Sequence, residues 1–183
     1  QLAWGPLSDR WGRRPVLLVG VWAYTLTALG CTLAPSIEAL IVMRCLQGVA
    51  MGAVVMCARA IVRDLYAPTE GARAMSKALT GLGIIACTSA PLGGVLAQHL
   101  GWRAVLSFLV AYGLATALLV QTRFRESIPQ KNPGALQVRV LLQTWLAILR
   151  HPTFRAFALL SMGAFGALFS FLASSSFVYI QVL

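Results

Sequence analysis

Arg44 is the one charged residue in a long apolar stretch, and its position suggests chemistry inside a membrane. It follows Glu38 by six residues, which is ~9 Å along a helix, and the next charged residue is Arg59. A charge at mid-membrane costs roughly 2.5 to 3.5 kcal/mol on insertion scales, so the guanidinium is expected to face a partner or water inside a helix bundle. The alternative is an arginine that reaches back to the outer surface. Arginine stays charged at any relevant pH, so this side chain cannot itself bind and release a proton.

A second group of charged residues lies in the short segment 5–15. Gly5 and Gly12 allow the backbone to turn sharply and to pack closely. Asp9 lies just before the next apolar stretch, where a negative charge favours the positive end of a helix. The basic residues of the segment are Arg10, Arg13 and Arg14. An ordinary basic turn is the alternative interpretation, but so many fixed residue types are more than such a turn requires.

The composition shows which elements must position these residues. Of the 183 residues, 58% are hydrophobic and 11% are charged, whereas about a quarter of the residues of a soluble domain are charged. Four charge-free stretches each approach the ~20 residues that a spanning helix needs. They are Pro15–Ala34, Ala78–Gln98, Ala104–Thr122 and Ala156–Leu183. The composition excludes a soluble enzyme, a disordered chain and a disulfide-stapled secreted module.

Only helices and closed barrels satisfy every backbone group in a bilayer, and these runs are too long for barrel strands. We predict an all-α membrane protein.

The basic residues alternate between connections. Successive connections between the apolar stretches carry three, none, three, one and six Lys or Arg residues. This is the positive-inside pattern, and it places the first, third and fifth connections in the cytoplasm. A nucleic-acid-binding surface has no reason to alternate in this way, so the net charge of +10 indicates membrane topology and not a nucleic-acid partner.

These patterns predict six helical segments in three regions. The end of one helix occupies Gln1–Leu7, and four complete helices and the start of another follow. The complete helices are Pro15–Ala34, Glu38–Val62, Ala78–Gln98 and Ala104–Thr122, and the last helix begins near Phe154. The regions are a bundle over residues 1–122, a cytoplasmic connection over 123–153 and the start of a second bundle over 154–183. Within the connection, Leu136–Leu149 has near-helical apolar spacing and is expected to lie along the membrane surface, a mobile linker being the alternative.

No catalytic or metal-binding arrangement is visible in the sequence. The four cysteines lie inside predicted spans without CxxC spacing, and the two histidines lie at membrane boundaries far apart in the chain. Buried apolar thiols are the expected interpretation. We therefore predict neither an enzyme nor a bound metal or cofactor. No Asp or Glu occurs within the complete spans except Glu38 at the outer boundary.

Three motifs resemble those of major facilitator superfamily transporters. Residues 5–14 read G-x-L-x-D-R-x-G-R-R, which resembles the loop motif between the second and third helices of that family. Residues 40–48 read L-x-x-x-R-x-x-Q-G and look like the fourth-helix motif, which includes Arg44, Gln47 and Gly48. The resemblance associates this motif with proton coupling in drug antiporters. Residues 59–64, 101–103 and 169–180 resemble the bicyclomycin/chloramphenicol resistance (Bcr/CflA) subfamily.

The third motif lies around Pro91. Proline cannot donate the hydrogen bond to Cys87, so a kink is expected there. Residues 86–94 resemble the fifth-helix motif of efflux antiporters, with Pro91 followed by Gly93 and Gly94. The chain departs from that motif, because alanines replace its early glycines and the double glycine comes one residue early. This departure weakens the antiporter interpretation more than it weakens the resemblance to the superfamily.

The resemblance implies a function and a place in a larger fold. It implies that the chain runs from the end of the second helix into the seventh helix of a twelve-helix transporter, without helix 1. It implies proton-driven export of drug-like molecules across the bacterial inner membrane by a monomer whose halves rock around a central site. The arginines Arg59 and Arg63 with Asp64 would pair with the Asp9 loop as an inner gate, and the proton-accepting carboxylate would lie outside the chain. The alternatives are a facilitator for a metabolite such as a sugar or amino acid, and a membrane protein that transports nothing.

Overall fold

The computed structural model describes residues 3–128, 134 and 136–181 and divides the chain into two compact units, 1–135 and 136–183. The first unit contains α1 (Trp4–Trp11), α2 (Arg13–Leu33), α3 (Ile37–Leu65), α4 (Pro68–Leu100) and α5 (Trp102–Arg123). The second contains α6 (Val138–Arg150) and α7 (Pro152–Gln181). The described residues form no strand, and five helices are long and apolar enough to cross a membrane. The predicted all-α membrane fold is confirmed.

The predicted turn over the loop motif is wrong. Helix α1 continues through Asp9 to Trp11, and α2 begins at Arg13. Only Gly12 separates them, with φ at 110°. Glycine adopts this left-handed backbone without the steric cost that a Cβ would add. The motif is therefore a helix end, a single-residue break and a helix start, and its side chains are held on rigid elements.

Helix α4 begins ten residues before the predicted start at Ala78. Pro68 is its first residue, where a missing N–H costs nothing. Its 33 residues span ~50 Å, well beyond the ~30 Å hydrocarbon layer. Its predicted cytoplasmic end carries Arg73 and Lys77, which lie on a helix and not on a loop. The charge-free run marked where the hydrocarbon ends, and the helix continues past it.

The core of the first unit lies around α2, which packs against α3 and α5. Small side chains on the neighbouring helices, Ala53 and Cys57 of α3 and Ala117 of α5, are fully buried against it. Within a membrane, small residues allow helix backbones to approach closely and gain van der Waals contact. Helix α4 has no buried residue.

Gly20 of α2 is a point of close approach to α3. A Cβ at this position would meet Ala53 Cβ at 3.0 Å and the Ala50 carbonyl oxygen at 3.3 Å. We expect Gly20→Leu to force the two helices apart and to lower the thermal stability of the purified protein, by ~2 kcal/mol as overpacking does elsewhere. The matched control is Gly81→Leu on α4, where no described residue lies within 4 Å of a Cβ placed at Gly81. Equal melting temperatures for the two variants would contradict this packing.

In the second unit, α6 and α7 are separated by His151 alone. Helix α6 occupies most of the predicted amphipathic segment, and its Leu142, Leu146 and Leu149 are exposed. Its placement along the membrane surface stays a prediction. Residues 129–133 of the predicted connection lie outside the described residues.

Candidate functional site

Arg13, the first residue of α2, is a buried charge held by partners on α1 and α3. Its side chain is 3% exposed. Its Nη1 lies 2.6 Å from Asp9 Oδ1 of α1, and its Nε donates to Asp64 Oδ2 of α3 at 3.0 Å. Nη1 also donates to the Ser8 hydroxyl, which in turn donates to the Gly5 carbonyl oxygen at 2.8 Å. A buried guanidinium is tolerated only when it is paired and hydrogen-bonded in this way.

The cluster joins elements that are distant in sequence. Asp64 is 51 residues from Arg13 and lies in the last turn of α3. Its side chain is 13% exposed, whereas Asp9 is 43% exposed and reaches solvent. Two carboxylates against one guanidinium give the group a net charge of −1. The ends of α1, α2 and α3 are therefore fastened at one point on the predicted cytoplasmic side.

Glu126 fixes the start of α2 from the segment after α5. Gly12 has no side chain to cap α2, so the first N–H groups of the helix need an acceptor from elsewhere. Glu126 Oε1 accepts from the Arg13 N–H at 2.8 Å, and Oε2 accepts from the Arg14 N–H at 3.2 Å. A negative charge is favoured at a helix N-terminus. Arg14 adds a hydrogen bond from Nη2 to the Gln121 carbonyl oxygen at 3.0 Å.

Replacement of Glu126 should weaken this cap without destroying the fold. Glu126→Gln removes the charge and places an amide donor beside an N–H group that needs an acceptor. We expect a loss of about 1 kcal/mol, since Glu126 is exposed and solvent screens its charge. Thermal unfolding of the purified protein measures it, with Glu70→Gln as control, because Glu70 lies in the first turn of α4 and is exposed. A Glu70→Gln loss as large as that of Glu126→Gln would refute the capping role.

Five residues of the predicted loop motif and gate surround one open cavity of about 370 Å³. Gly5, Asp9, Arg13, Arg59 and Arg63 line it. The structure therefore brings α1, the start of α2 and the end of α3 together, and the gate role of these residues stays a prediction.

The remaining arginines of this region are bound less tightly than Arg13. Arg63 is 75% exposed, and its Nε lies 3.9 Å from Asp64 Oδ1. Arg10 is exposed in the last turn of α1, where a cation favours the helix dipole. Asp64 therefore pairs more closely with Arg13, at 3.0 Å, than with Arg63.

Arg44 lies on the same helix as its hydrogen-bond partner. Its Nη1 donates to Gln47 Oε1 at 2.9 Å. Gln47 is 5% exposed, and its Nε2 is buried with no partner among the residues that the structure describes. Such a buried donor usually has an acceptor. The predicted interhelical partner of Arg44 is not present in the described part of the chain.

Arg44 and Gly93 line one open groove of about 340 Å³ with Trp102. The structure thus places the fourth-helix motif beside the fifth-helix motif, which lies on α4. Pro91 is inside α4, and Pro91 and Gly94 are exposed. At Gly48 of the fourth-helix motif, no described residue lies within 4 Å of a Cβ placed there.

Two residues of this region were missed by the sequence analysis. Ser8 is fully buried and accepts a hydrogen bond from Arg13 Nη1. Glu126 caps the start of α2. A signal for Glu126 existed in the uncapped helix start after Gly12, since that start required an acceptor. Nothing in the sequence identified which of the five carboxylates would supply it.

Comparison with known proteins gives consistent similarities over the whole chain. The family model described as Major Facilitator Superfamily matches residues 1–183. The bicyclomycin resistance protein homolog of Haemophilus influenzae is 30% identical over all of the chain and 46% of its own length. Multidrug resistance protein D of Escherichia coli is 30% identical over all of the chain and 45% of its length. The chloramphenicol resistance protein of Pseudomonas aeruginosa is 36% identical over 78% of the chain and 34% of its length. The chain spans less than half the length of each of these relatives.

Proposed function

Because the chain belongs to the major facilitator superfamily, we propose that it is part of a transporter that exports drug-like molecules from the bacterial cytoplasm in exchange for protons. The chain is a multi-pass membrane protein with five helices long enough to span. The resemblance to the bicyclomycin and chloramphenicol resistance proteins is confirmed by the relatives. Their names are the observation that carries the export proposal.

The Arg13 cluster supplies a candidate inner gate. Alternating access requires that the cytoplasmic ends of helices switch between two arrangements around a central substrate site. Arg13 fastens α1 to α3 through Asp9 and Asp64, so these three helix ends move as one body. Asp9 keeps one exposed side toward the open cavity and can exchange cationic partners there. We assign the switch to these exposed groups and the rigid mount to the buried ones.

Arg44 supplies a candidate group for proton coupling. It lies within the spanning part of α3 and borders an open groove. Arginine does not titrate, so it would act by stabilising the ionised form of a carboxylate that carries the proton. We place that carboxylate on a helix other than those described here, facing Arg44 and the unpartnered Gln47 amide.

Drug accumulation tests the proposal in cells. The full-length protein is expressed, and the accumulation of several unrelated antibiotics is measured with and without a protonophore. Export by proton antiport predicts lower accumulation of at least one drug and its restoration by the protonophore. Unchanged accumulation of every drug would remove drug export and favour the metabolite facilitator, the second interpretation. If accumulation is lowered and the protonophore does not restore it, proton coupling is refuted but drug export is not.

A further inference from the structure

A second cavity on the predicted cytoplasmic side shares Arg59 and Arg63 with the cavity beside Asp9 and extends from them to α4. It lies between the end of α3 and the start of α4 and has a volume of about 420 Å³. Arg59, Arg63 and Tyr66 contribute its polar side chains. Its position is that of the cytoplasmic membrane interface, because the basic ends of α3 and α4 belong to the positive-inside connection.

The two arginines of this groove lack a close counter-charge. They are four residues apart on α3, so they share one face of the helix and repel each other. The neighbouring Asp64 is committed to Arg13 at 3.0 Å and lies 3.9 Å from Arg63. Arg59 also borders the Asp9 cavity, but no ion pair or hydrogen bond joins its side chain to any described residue. Two exposed guanidinium groups are therefore available to one anion.

The rest of the groove is apolar, which restricts the kind of anion. Val62 of α3 faces Pro68, Ala72 and Met75 of α4 across it. Val62 and Met75 are half-buried. A free phosphate ion gains nothing from such a surface, whereas an amphiphile places its head on the arginines and its chain on the apolar floor. Guanidinium groups bind phosphate oxygens in pairs of hydrogen bonds.

We propose that this groove binds an anionic phospholipid of the cytoplasmic leaflet. Arg59 and Arg63 hold the phosphate, and the start of an acyl chain lies against Val62 and Met75. Basic pockets between spanning helices on the cytoplasmic side bind anionic headgroups by the same physics. The site would tie the lipid surface to the end of α3, which carries Asp64 of the Arg13 cluster.

Native mass spectrometry of the purified full-length protein with phosphatidylglycerol and phosphatidylcholine tests the site. We expect the wild type to retain phosphatidylglycerol preferentially and Arg59→Gln with Arg63→Gln to weaken that binding about 25-fold, at roughly fivefold per arginine. Arg73→Gln with Lys77→Gln is the matched control. That pair removes the same charge at the same spacing from exposed positions of α4 outside the groove, and it should change binding little.

A second variant separates the groove from general surface charge. Met75→Trp fills the apolar floor and keeps both arginines, so it should also reduce phosphatidylglycerol binding. It decides the question alone if the double glutamine variant fails to assemble. Equal losses in the Arg59/Arg63 and control variants, or unchanged binding in Met75→Trp, would overturn the site. Displacement of the lipid by inorganic phosphate, with phosphate bound as tightly, would identify a phosphate ion as the ligand and overturn the lipid assignment.

Discussion

Arg13→Ala should abolish resistance and destabilise the protein, the largest effect expected of any single change in the described chain. The substitution leaves Asp9 and Asp64 facing each other without the guanidinium that pairs with both. Breaking a buried ion pair from one side typically costs 3 to 5 kcal/mol. We expect about 3 kcal/mol here, because Asp9 is 43% exposed and can turn to water. Thermal unfolding of the purified protein and drug-resistant growth measure the two effects.

A double variant distinguishes the ion pair from simple loss of packing. Arg13→Ala with Asp64→Asn removes the charge that the first change leaves unpaired, so it should recover part of the stability lost in Arg13→Ala. Arg73→Ala is the control for loss of an arginine, because Arg73 is exposed and lies on the same predicted cytoplasmic side. A double variant less stable than Arg13→Ala would mean that Asp64 is stabilised by something other than Arg13.

Arg44→Ala should remove drug-resistant growth while the protein remains in the membrane at normal abundance. The reason is that Arg44 is exposed toward a groove and makes its hydrogen bond only to Gln47 of its own helix, so the fold loses little. Transport loses the fixed positive charge that the coupling proposal requires. Resistance measured with immunoblotting of the membrane fraction separates the two outcomes.

The matched control for Arg44 is Arg103→Ala. Arg103 is an exposed arginine at the start of α5, and its guanidinium carbon lies 4.6 Å from the Trp102 ring centroid. We expect this variant to keep resistance. Retained resistance in Arg44→Ala would instead identify Arg44 as an anchor at the outer interface, which is the alternative that the sequence left open.

The spanning helices were predictable because a helix that crosses a bilayer needs a long apolar segment, which is visible in the composition of the sequence. Apolar runs of about 20 residues located four complete spans, and each overlaps one helix from α2 to α5. Helix ends were not predictable in the same way. The sequence places charge where the hydrocarbon stops, but α4 continues to Pro68 because a helix in water still satisfies its own backbone.

Most members of the candidate site were predictable from the sequence, but Ser8, Glu126 and the burial of Arg13 were not. Arg13 was interpreted as a topology signal, since a basic residue beside a span gives no indication of burial; the structure buries it. Glu126 is 113 residues from Arg13, so no local sequence pattern predicts the hydrogen bond between them. Gly20 and Gly48 have the same residue type in apolar helices, but only Gly20 lies against a described neighbour. The face of a helix that meets another helix depends on the packing of the whole bundle.

The most direct measurement for proton-driven drug export is made in proteoliposomes that contain the full-length protein. A pH gradient is imposed across the vesicle membrane, and uptake of a labelled drug is followed together with internal pH. Proton antiport predicts that drug enters the vesicles only while the gradient exists and that addition of drug speeds the collapse of the gradient. The Arg44→Ala variant should neither take up drug nor speed that collapse. Drug uptake that proceeds equally without a gradient, and leaves internal pH unchanged, would contradict proton antiport.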